Sequence, residues 1–207
     1  MAELFDDVVT ICPGMYLLPG FADSRALDAD LQQLLSIARL RRMQTLRGYE
    51  MSVQTTSCGS VGWISDRKGY RYSSCDPLTG DDWPIMPASF SRLATHAAQQ
   101  AGFARFAPDT CLINCYEPGT QMGAHQDKDE ADFDQPIVSV SLGIDARFFV
   151  VGPARTGKSI PVDLSDGDVV VFGGPARRFY HGVRRLKMST HAHFGSVRWN
   201  LTFRKAV

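Results

Sequence analysis

The residues best suited to chemistry are His125 and Asp127, within the stretch 114–143. In a β-strand, residues i and i+2 point to the same face, so the imidazole and the carboxylate can aim at one point. A third ligand is available further along the chain at His181. Two histidines and one carboxylate with open coordination positions form the facial triad of non-haem Fe(II) oxygenases. Because an H-x-D pair is common by chance, the pair alone could also occur in a protein that binds no metal there.

A row of polar side chains with strand-like alternation lies near the end of the chain. Arg198, Asn200, Thr202 and Arg204 share one face of a predicted strand at 197–204, and the residues between them are apolar. An exposed edge strand would show the same pattern. If the polar row faces the interior instead, its two guanidiniums need an anion, and the gap between them suits a short dicarboxylate.

A second predicted strand, at 110–116, presents two more polar side chains. Asn114 and Tyr116 are two residues apart, so both can reach the same ligand. The combined pattern resembles the AlkB family of Fe(II)- and 2-oxoglutarate-dependent nucleic-acid dealkylases. It consists of Asn114-x-Tyr116, His125-x-Asp127, His181, Arg198 and Arg204. The likeness extends to segments 51–53, 62–63, 69–70, 125–143 and 167–204, and it is therefore spread over nearly the whole chain.

This resemblance implies a set of cofactors and the residues that hold them. Fe(II) is expected at His125, Asp127 and His181, with 2-oxoglutarate and O2 as co-substrates in the open positions. Five further side chains are expected to bind the two carboxylates of 2-oxoglutarate. Arg198, Asn114 and Tyr116 are assigned to the distal carboxylate, and Arg204 and Asn200 to the carboxylate near iron.

The resemblance also implies the substrate, which is alkylated DNA, with RNA kept open. The expected reaction is oxidative demethylation of 1-methyladenine and 3-methylcytosine, with release of formaldehyde, succinate and CO2. Because a base inside a duplex cannot reach the metal, the target is single-stranded or flipped out. Nine residues match positions near the substrate in the family: Thr45, Met51, Trp63, Tyr70, Gln126, Lys128, Asp129, Glu130 and Arg155.

Some of these positions carry a more specific expectation. Trp63 is expected to stack on the damaged base, with the ring of His125 on its other side. Asp129 falls on the face of Asp127 if the strand continues, and with Glu130 it would favour a cationic base. By charge and aromatic content, the segment 39–75 also suits nucleic acid, although a solvated surface would look alike.

At two positions this chain differs from the family relative that it resembles. Gln121 stands where that relative carries a basic residue, which puts a phosphate contact in doubt. Thr55 replaces a larger apolar residue of the lid, and this change would loosen or reshape the pocket.

A competing motif lies at 152–159, where the sequence GPARTGKS matches the phosphate-binding pattern of nucleotide hydrolases. Such a loop must open a helix whose N-terminal amides bind the phosphates. Here Pro161 and a strand-like run follow within a few residues. The pattern therefore favours a hairpin loop over a nucleotide site.

Short apolar runs separated by turn residues predict a mainly β chain with flanking helices, of the α+β class. Helices are expected at 22–39 and 87–101, and strands at 110–116, 137–142, 147–151, 161–164, 168–172 and 197–204. The family resemblance implies a double-stranded β-helix, or jelly roll. It divides a single domain, 1–207, into an N-terminal extension and helix to about 40, a nucleotide-recognition lid at 41–86, and a catalytic core from 87.

Composition limits the possible classes of protein. The 207 residues have a formal net charge of zero, so nucleic-acid binding must depend on a local patch. Five scattered cysteines predict a reduced protein. The first seven residues lack a signal-like apolar run, and no run is long enough for a membrane span. We expect a cytoplasmic monomer. The alternatives are the same chemistry on RNA or protein, and a non-catalytic metal-binding jelly roll.

Overall fold

Two antiparallel sheets pack against each other and enclose most of the residues singled out above. The computed structural model describes residues 8–207, so the prediction that residues 1–7 carry no signal peptide lies outside it. The first strands are β1 (Val9–Cys12), β2 (Met15–Leu18), β3 (Arg41–Gln44), β4 (Glu50–Gly59), β5 (Gly62–Asp66), β6 (Gly69–Ser73) and β7 (Thr110–Tyr116). They are followed by β8 (Met122–His125), β9 (Ile137–Gly143), β10 (Ala146–Gly152), β11 (Ile160–Leu164), β12 (Val169–Phe172), β13 (Tyr180–Val183) and β14 (Arg198–Arg204).

The larger sheet has eight strands in the order β1-β2-β12-β9-β14-β7-β4-β3, and the smaller has four in the order β11-β10-β13-β8. An apolar cluster that includes Ile137 and Phe172 from the larger sheet and Phe148 and Val150 from the smaller one joins their inner faces. This arrangement is the predicted jelly roll. It brings the strand that bears His181 beside the strand that ends in His125, as the prediction required.

Two helices cover the outer face of the larger sheet. They are α1 (Ser24–Ile37) and α2 (Ala88–Gln100), which confirms the helices predicted at 22–39 and 87–101. The carboxylate of Asp23 accepts hydrogen bonds from the first backbone amides of α1, as an N-cap residue does. Phe90 of α2 meets Phe203 of β14 edge to face, with ring centroids 5.9 Å apart.

The alternation predicted for β14 decides which of its side chains face the space between the two sheets. Trp199, Leu201 and Phe203 pack in the cluster beneath the helices, so the polar residues between them point to the opposite face, into the space between the sheets. Because β14 lies between β9 and β7, the alternative of an exposed edge strand is wrong.

The strands of the region 41–86 belong to two different sheets. β3 and β4 extend the larger sheet, where β4 pairs with β7, whereas β5 and β6 form a separate two-stranded hairpin. Met43, Ile64 and Trp83 form a small apolar cluster that packs the hairpin against the rest. Whether this region acts as a nucleotide-recognition lid stays a prediction.

One expectation is corrected by the strand boundaries. β8 ends at His125, so Asp127 and Asp129 lie in the irregular segment after it rather than on a continuing strand. The strands β1 to β6 lie outside the ranges predicted from the sequence, and the four-residue runs of β1, β2 and β3 carry little periodic signal.

The GPARTGKS motif forms the turn of a hairpin. β10 and β11 pair antiparallel on either side of it, from Ala146 opposite Leu164 to Val150 opposite Ile160. Because the structure places no helix between these strands, the nucleotide-binding interpretation is excluded.

All five cysteines lie among the described residues, and each has a free thiol, in agreement with the reduced protein that the sequence predicts. Neither described helix has the length and apolar character needed to cross a membrane.

Candidate iron and co-substrate site

Three potential metal ligands converge at one mouth of the jelly roll. His181 of β13 lies opposite His125 of β8 in the strand register. Asp127 reaches the same point, with its carboxylate oxygens 3.8 Å from Nε2 of His125 and 3.7 Å from Nε2 of His181. One ligand atom from each residue lies within 4.8 Å of the others, the only such group in the described part of the chain. These distances leave room for a single ion between them.

Backbone contacts orient both imidazoles. Nδ1 of His125 lies 2.9 Å from the carbonyl oxygen of Gly123, and Nδ1 of His181 lies 2.9 Å from that of Phe179. Because a carbonyl only accepts, each Nδ1 carries a proton, so Nε2 is the nitrogen of each neutral ring that is available to a metal on the side of the carboxylate. Metal-binding histidines commonly show this arrangement.

The charges around the triad favour its metal-binding protonation states. Burial alone would raise the pKa of the Asp127 carboxyl, but the combined attraction of the surrounding groups, with Arg204 first among them, keeps that pKa well below its usual range. Burial lowers the pKa of His181 to about 4. An ionised carboxylate and a neutral imidazole are the forms that coordinate a cation.

The triad opens onto a cavity of about 310 Å³ between the sheets. Nearly all of the residues predicted from the sequence line it: Met51, Trp63, Tyr70, Asn114, Tyr116, His125, Gln126, Asp127, Lys128, Asp129, Glu130, Arg155, His181, Arg198, Asn200 and Arg204. Thr45 is the exception, since it lies in the turn after β3, where its hydroxyl accepts a hydrogen bond from the backbone nitrogen of Tyr49. Any contact of Thr45 with a substrate stays a prediction.

The floor of this cavity holds an arginine that needs a partner. Arg198 is only 1% exposed, and its Nη2 donates to the hydroxyl of Ser141 at 2.9 Å. Its guanidinium lies 5.0 Å from the ring centroid of Tyr116. Its Nε and Nη1 are buried without a hydrogen-bond acceptor among the described residues. A buried cation with two unused donors is costly unless an anion completes it, so the site suits a bound carboxylate.

A second guanidinium faces the triad. Nη2 of Arg204 lies 3.2 Å from Oδ2 of Asp127, and its Nε lies 3.2 Å from Oε1 of Glu130, while Nη1 is buried without an acceptor. Asn200 donates to the hydroxyl of Ser139, which fixes its amide in the same row. The spare donors of the two arginines, at opposite ends of one strand, fit the two carboxylates of 2-oxoglutarate.

Reasoning from the sequence missed a buried charge network behind the triad. Nη2 of Arg177 pairs with Glu130 at 3.0 Å, and its other nitrogens donate to the backbone oxygens of Asp127 and Gln135. The hydroxyl of Tyr72 donates to Glu130 at 2.7 Å. Glu130 is thus held by two arginines, Arg177 and Arg204, and by a phenol, so it is engaged in the wall of the cavity rather than free to bind a base. No sequence periodicity marks Arg177, because it lies in a short turn before His181.

The aromatic hairpin forms the outer wall of the cavity. The rings of Trp63 and Tyr70 stack, with centroids 5.7 Å apart and planes inclined by 12°. The indole nitrogen of Trp63 donates to Oδ2 of Asp129 at 2.9 Å. Gln126 donates from its side-chain amide to the carbonyl of Arg178 at 2.5 Å, which holds the opposite rim.

The two departures from the family pattern lie in different surroundings. Thr55 belongs to β4, opposite Asn114 of β7, and its buried hydroxyl has no partner among the described residues. It lines the cavity from the larger sheet and not from the hairpin. Gln121 is exposed, and its backbone contacts Ser52.

Comparison with known proteins agrees with this chemistry. Residues 14–204 match the model of the 2OG-Fe(II) oxygenase superfamily. The alpha-ketoglutarate-dependent dioxygenase AlkB of Salmonella typhimurium is 45% identical over all of this chain and 98% of its own length. The DNA N(6)-methyladenine demethylase ALKBH1C of Arabidopsis thaliana is 27% identical over 94% of this chain and 49% of its own length.

Among solved structures, OsALKBH1 superposes with a TM-score of 0.83 at 30% identity, covering 96% of this chain and all of that one. The full-length sequence match therefore agrees with the structure, which has the same sheet topology, a His-Asp-His triad and two arginines facing one cavity. The chain belongs to the AlkB family of Fe(II)- and 2-oxoglutarate-dependent dioxygenases.

Proposed function

We propose that this dioxygenase repairs alkylated DNA by oxidative demethylation of 1-methyladenine and 3-methylcytosine, with a preference for single strands. The observation that carries the proposal is the position of Asp129, a carboxylate bonded to Trp63 on the wall of the cavity that holds the triad. The proposal also includes activity on the same lesions in RNA. The enzyme would act as a cytoplasmic monomer.

The protein's part in the reaction is to hold and orient. His125, Asp127 and His181 would bind Fe(II), while Arg198 and Arg204 would each receive one carboxylate of 2-oxoglutarate. Tyr116 lies opposite Arg198 in the strand register, and Asn114 lies opposite Asn200, which stands between the two arginines in the same row. Iron with 2-oxoglutarate and O2 supplies the oxidising power for removing an N-methyl group as formaldehyde, with succinate and CO2 as the other products.

Recognition of the lesion follows from charge and ring geometry. Methylation at N1 of adenine or N3 of cytosine leaves the base cationic near neutral pH. The ring of Trp63 offers a face for stacking, and the carboxylate of Asp129 beside it attracts a positive charge. A neutral methylated base gains no such attraction, so the wall of this cavity favours the cationic lesions.

The cavity rim supplies contacts for the nucleotides next to the lesion. Lys128 and Arg155 are exposed cations at the rim, suited to phosphates, and Tyr70 presents a partly exposed ring. Met51 and Gln126 line the walls between them. Because the cavity admits one base from the surface, a duplex substrate must release that base from the stack.

One assay tests the proposal directly. Succinate release is measured with Fe(II) and 2-oxoglutarate, with and without single-stranded DNA that carries one 1-methyladenine. Stimulation by the methylated strand, with formaldehyde produced in equal amount, is the expected result. Stimulation by methylated RNA alone would move the assignment to RNA, and stimulation by neither nucleic acid would refute it and leave a protein substrate.

A further inference from the structure

The GPARTGKS loop is the feature of the sequence that the catalytic site leaves unexplained. It joins β10 to β11 beside β13, the strand of His181. The loop carries two exposed cations, Arg155 and Lys158, of which Arg155 lines the cavity. The loop therefore begins at the rim of the catalytic site and leads away from it.

A third cation, Arg184, is held in place next to this loop. Its Nη2 donates to the hydroxyl of Ser159 at 3.2 Å, at the end of the loop. Its guanidinium lies 4.1 Å from the ring centroid of Phe149. Gly182 makes room for that ring, because a Cβ there would lie 2.7 Å from it. An arginine fixed by a ring and a hydroxyl is already ordered for binding an anion.

Strand geometry places Arg184 on the outside of the smaller sheet. It lies three residues beyond the inward-facing His181, so it belongs to the opposite face, and its backbone nitrogen donates to the carbonyl of Arg147. Arg147 itself is neutralised by two hydrogen bonds to Asp163. Arg184 makes no ion pair with a carboxylate among the described residues.

The local charge is strongly positive, although the whole chain is neutral. Neither the loop 153–159 nor the segment 182–193 contains an aspartate or glutamate. Arg185 and Lys187 add two exposed cations just after Arg184, and of these Lys187 lies near the carboxylate of Asp163. A row of cations that leads from a base-sized cavity has the charge needed to follow a phosphate backbone.

We propose that Arg155, Lys158 and Arg184 form a cationic strip that binds the phosphates of the nucleic-acid strand flanking the target base. The inference rests on the proposed function. It extends the contact surface from Arg155 at the rim of the cavity to Lys158 and Arg184 beyond it, with Arg184 on the face opposite the iron ligands. A strand held there would bind more tightly than a trinucleotide that fills only the cavity.

The test is the salt dependence of binding. Single-stranded DNA of about 15 nucleotides with a central 1-methyladenine is titrated with the Fe(II)-loaded enzyme, without 2-oxoglutarate, at about 50 to 200 mM salt. The slope of log K against log salt is negative, and each lost phosphate contact lowers its magnitude by about 0.7. The double variant Lys158→Gln/Arg184→Met should therefore lower that magnitude by about 1.4, while methionine keeps the packing on Phe149.

Two matched variants separate a local contact from a change in total charge. Arg25→Gln/Arg92→Met removes the same charge from exposed positions on α1 and α2 and should leave the slope unchanged. Arg184→Lys keeps the charge and should retain the wild-type slope. If the double variant fails to fold, Lys158→Gln alone, in the exposed loop, should lower the magnitude of the slope by about 0.7.

Two results would contradict the proposal that these cations bind phosphates. One is a slope equal to that of the wild type in the Lys158 and Arg184 variants, and the other is an equal decrease in the Arg25 and Arg92 control. In both cases turnover of the methylated strand by the wild type would leave the proposed function standing. Absence of that turnover would refute the proposed function itself.

Discussion

The indole nitrogen of Trp63 donates a 2.9 Å hydrogen bond to the carboxylate of Asp129, and this contact joins the β5–β6 hairpin to the segment that carries Asp127. It places a negative charge at the edge of the ring on which the damaged base is proposed to stack. The hairpin and the segment that carries Asp127 therefore form one continuous wall of the cavity.

Removing the charge of Asp129 should reduce the preference for cationic lesions. Asp129→Asn keeps the shape and still offers an oxygen to Trp63, but it loses the attraction for a positive base. The measurement is the ratio of demethylation rates for 1-methyladenine and the neutral lesion 1-methylguanine in single-stranded DNA. That ratio should fall, whereas Asp132→Asn, an exposed neighbour in the same acidic run, should leave it unchanged. An unchanged ratio in Asp129→Asn would place the source of the preference elsewhere.

Removing the carboxylate ligand should abolish turnover. In Asp127→Ala the two histidines remain, but they cannot fix a cation with the correct open positions. We expect Fe(II) affinity to fall by more than about 100-fold, beyond the loss typical of mutating a residue behind the ligands. Metal affinity is measured by titration and activity by succinate release, with Asp132→Ala as the control. Wild-type turnover in Asp127→Ala would contradict the triad.

Arg198 should matter for 2-oxoglutarate and not for the folded state without it. Losing a charged hydrogen bond costs about 1.5–3 kcal/mol, so Arg198→Met should raise the KM for 2-oxoglutarate about tenfold or more. Because two of its nitrogens are buried without acceptors, the thermal midpoint of the ligand-free protein should stay equal or rise. Arg92→Met is the surface control. Unchanged 2-oxoglutarate dependence with weaker DNA binding would move Arg198 to the nucleic-acid surface.

The Arg177–Glu130 pair should contribute strongly to stability. Arg177→Met leaves the buried carboxylate with fewer partners, and breaking such a pair costs about 3–5 kcal/mol. Urea unfolding measures this loss of stability. In the double variant Arg177→Met/Glu130→Gln, the loss should be smaller than the sum of the losses in the two single variants. Arg147→Met, which breaks the exposed pair with Asp163, should leave the midpoint close to that of the wild type. Equal effects at both sites would rule out a structural role for the buried network.

Thr55 offers a contrasting case, in which removing a polar atom should stabilise the protein. Its hydroxyl is buried and has no partner among the described residues, so Thr55→Val should raise the free energy of unfolding by about 1 kcal/mol. The comparison is made by urea unfolding in the absence of 2-oxoglutarate. Thr56→Val, the neighbouring buried hydroxyl without a partner, should respond alike. A loss of stability in Thr55→Val would show that its hydroxyl is bonded in solution.

Much of the site could be predicted from local sequence because strand geometry is regular. The alternation in 198–204 assigns Arg198 and Arg204 to one face, and the spacing of Asn114 and Tyr116 does the same for β7. The two helices and their boundaries follow from apolar spacing and from the capping carboxylate of Asp23. In each case neighbours along the chain determine the outcome, so the pattern is visible without the fold.

Tertiary structure alone decided the contacts between distant segments. It set His181 opposite His125, placed β14 at the centre of a sheet, and buried Arg177 and Tyr72 against Glu130. It also ended β8 before Asp127, so that the carboxylate approaches the two histidines from an irregular segment. These outcomes depend on which strands pair and on how two sheets pack, and both are settled by burial summed over many residues rather than by the spacing of a few.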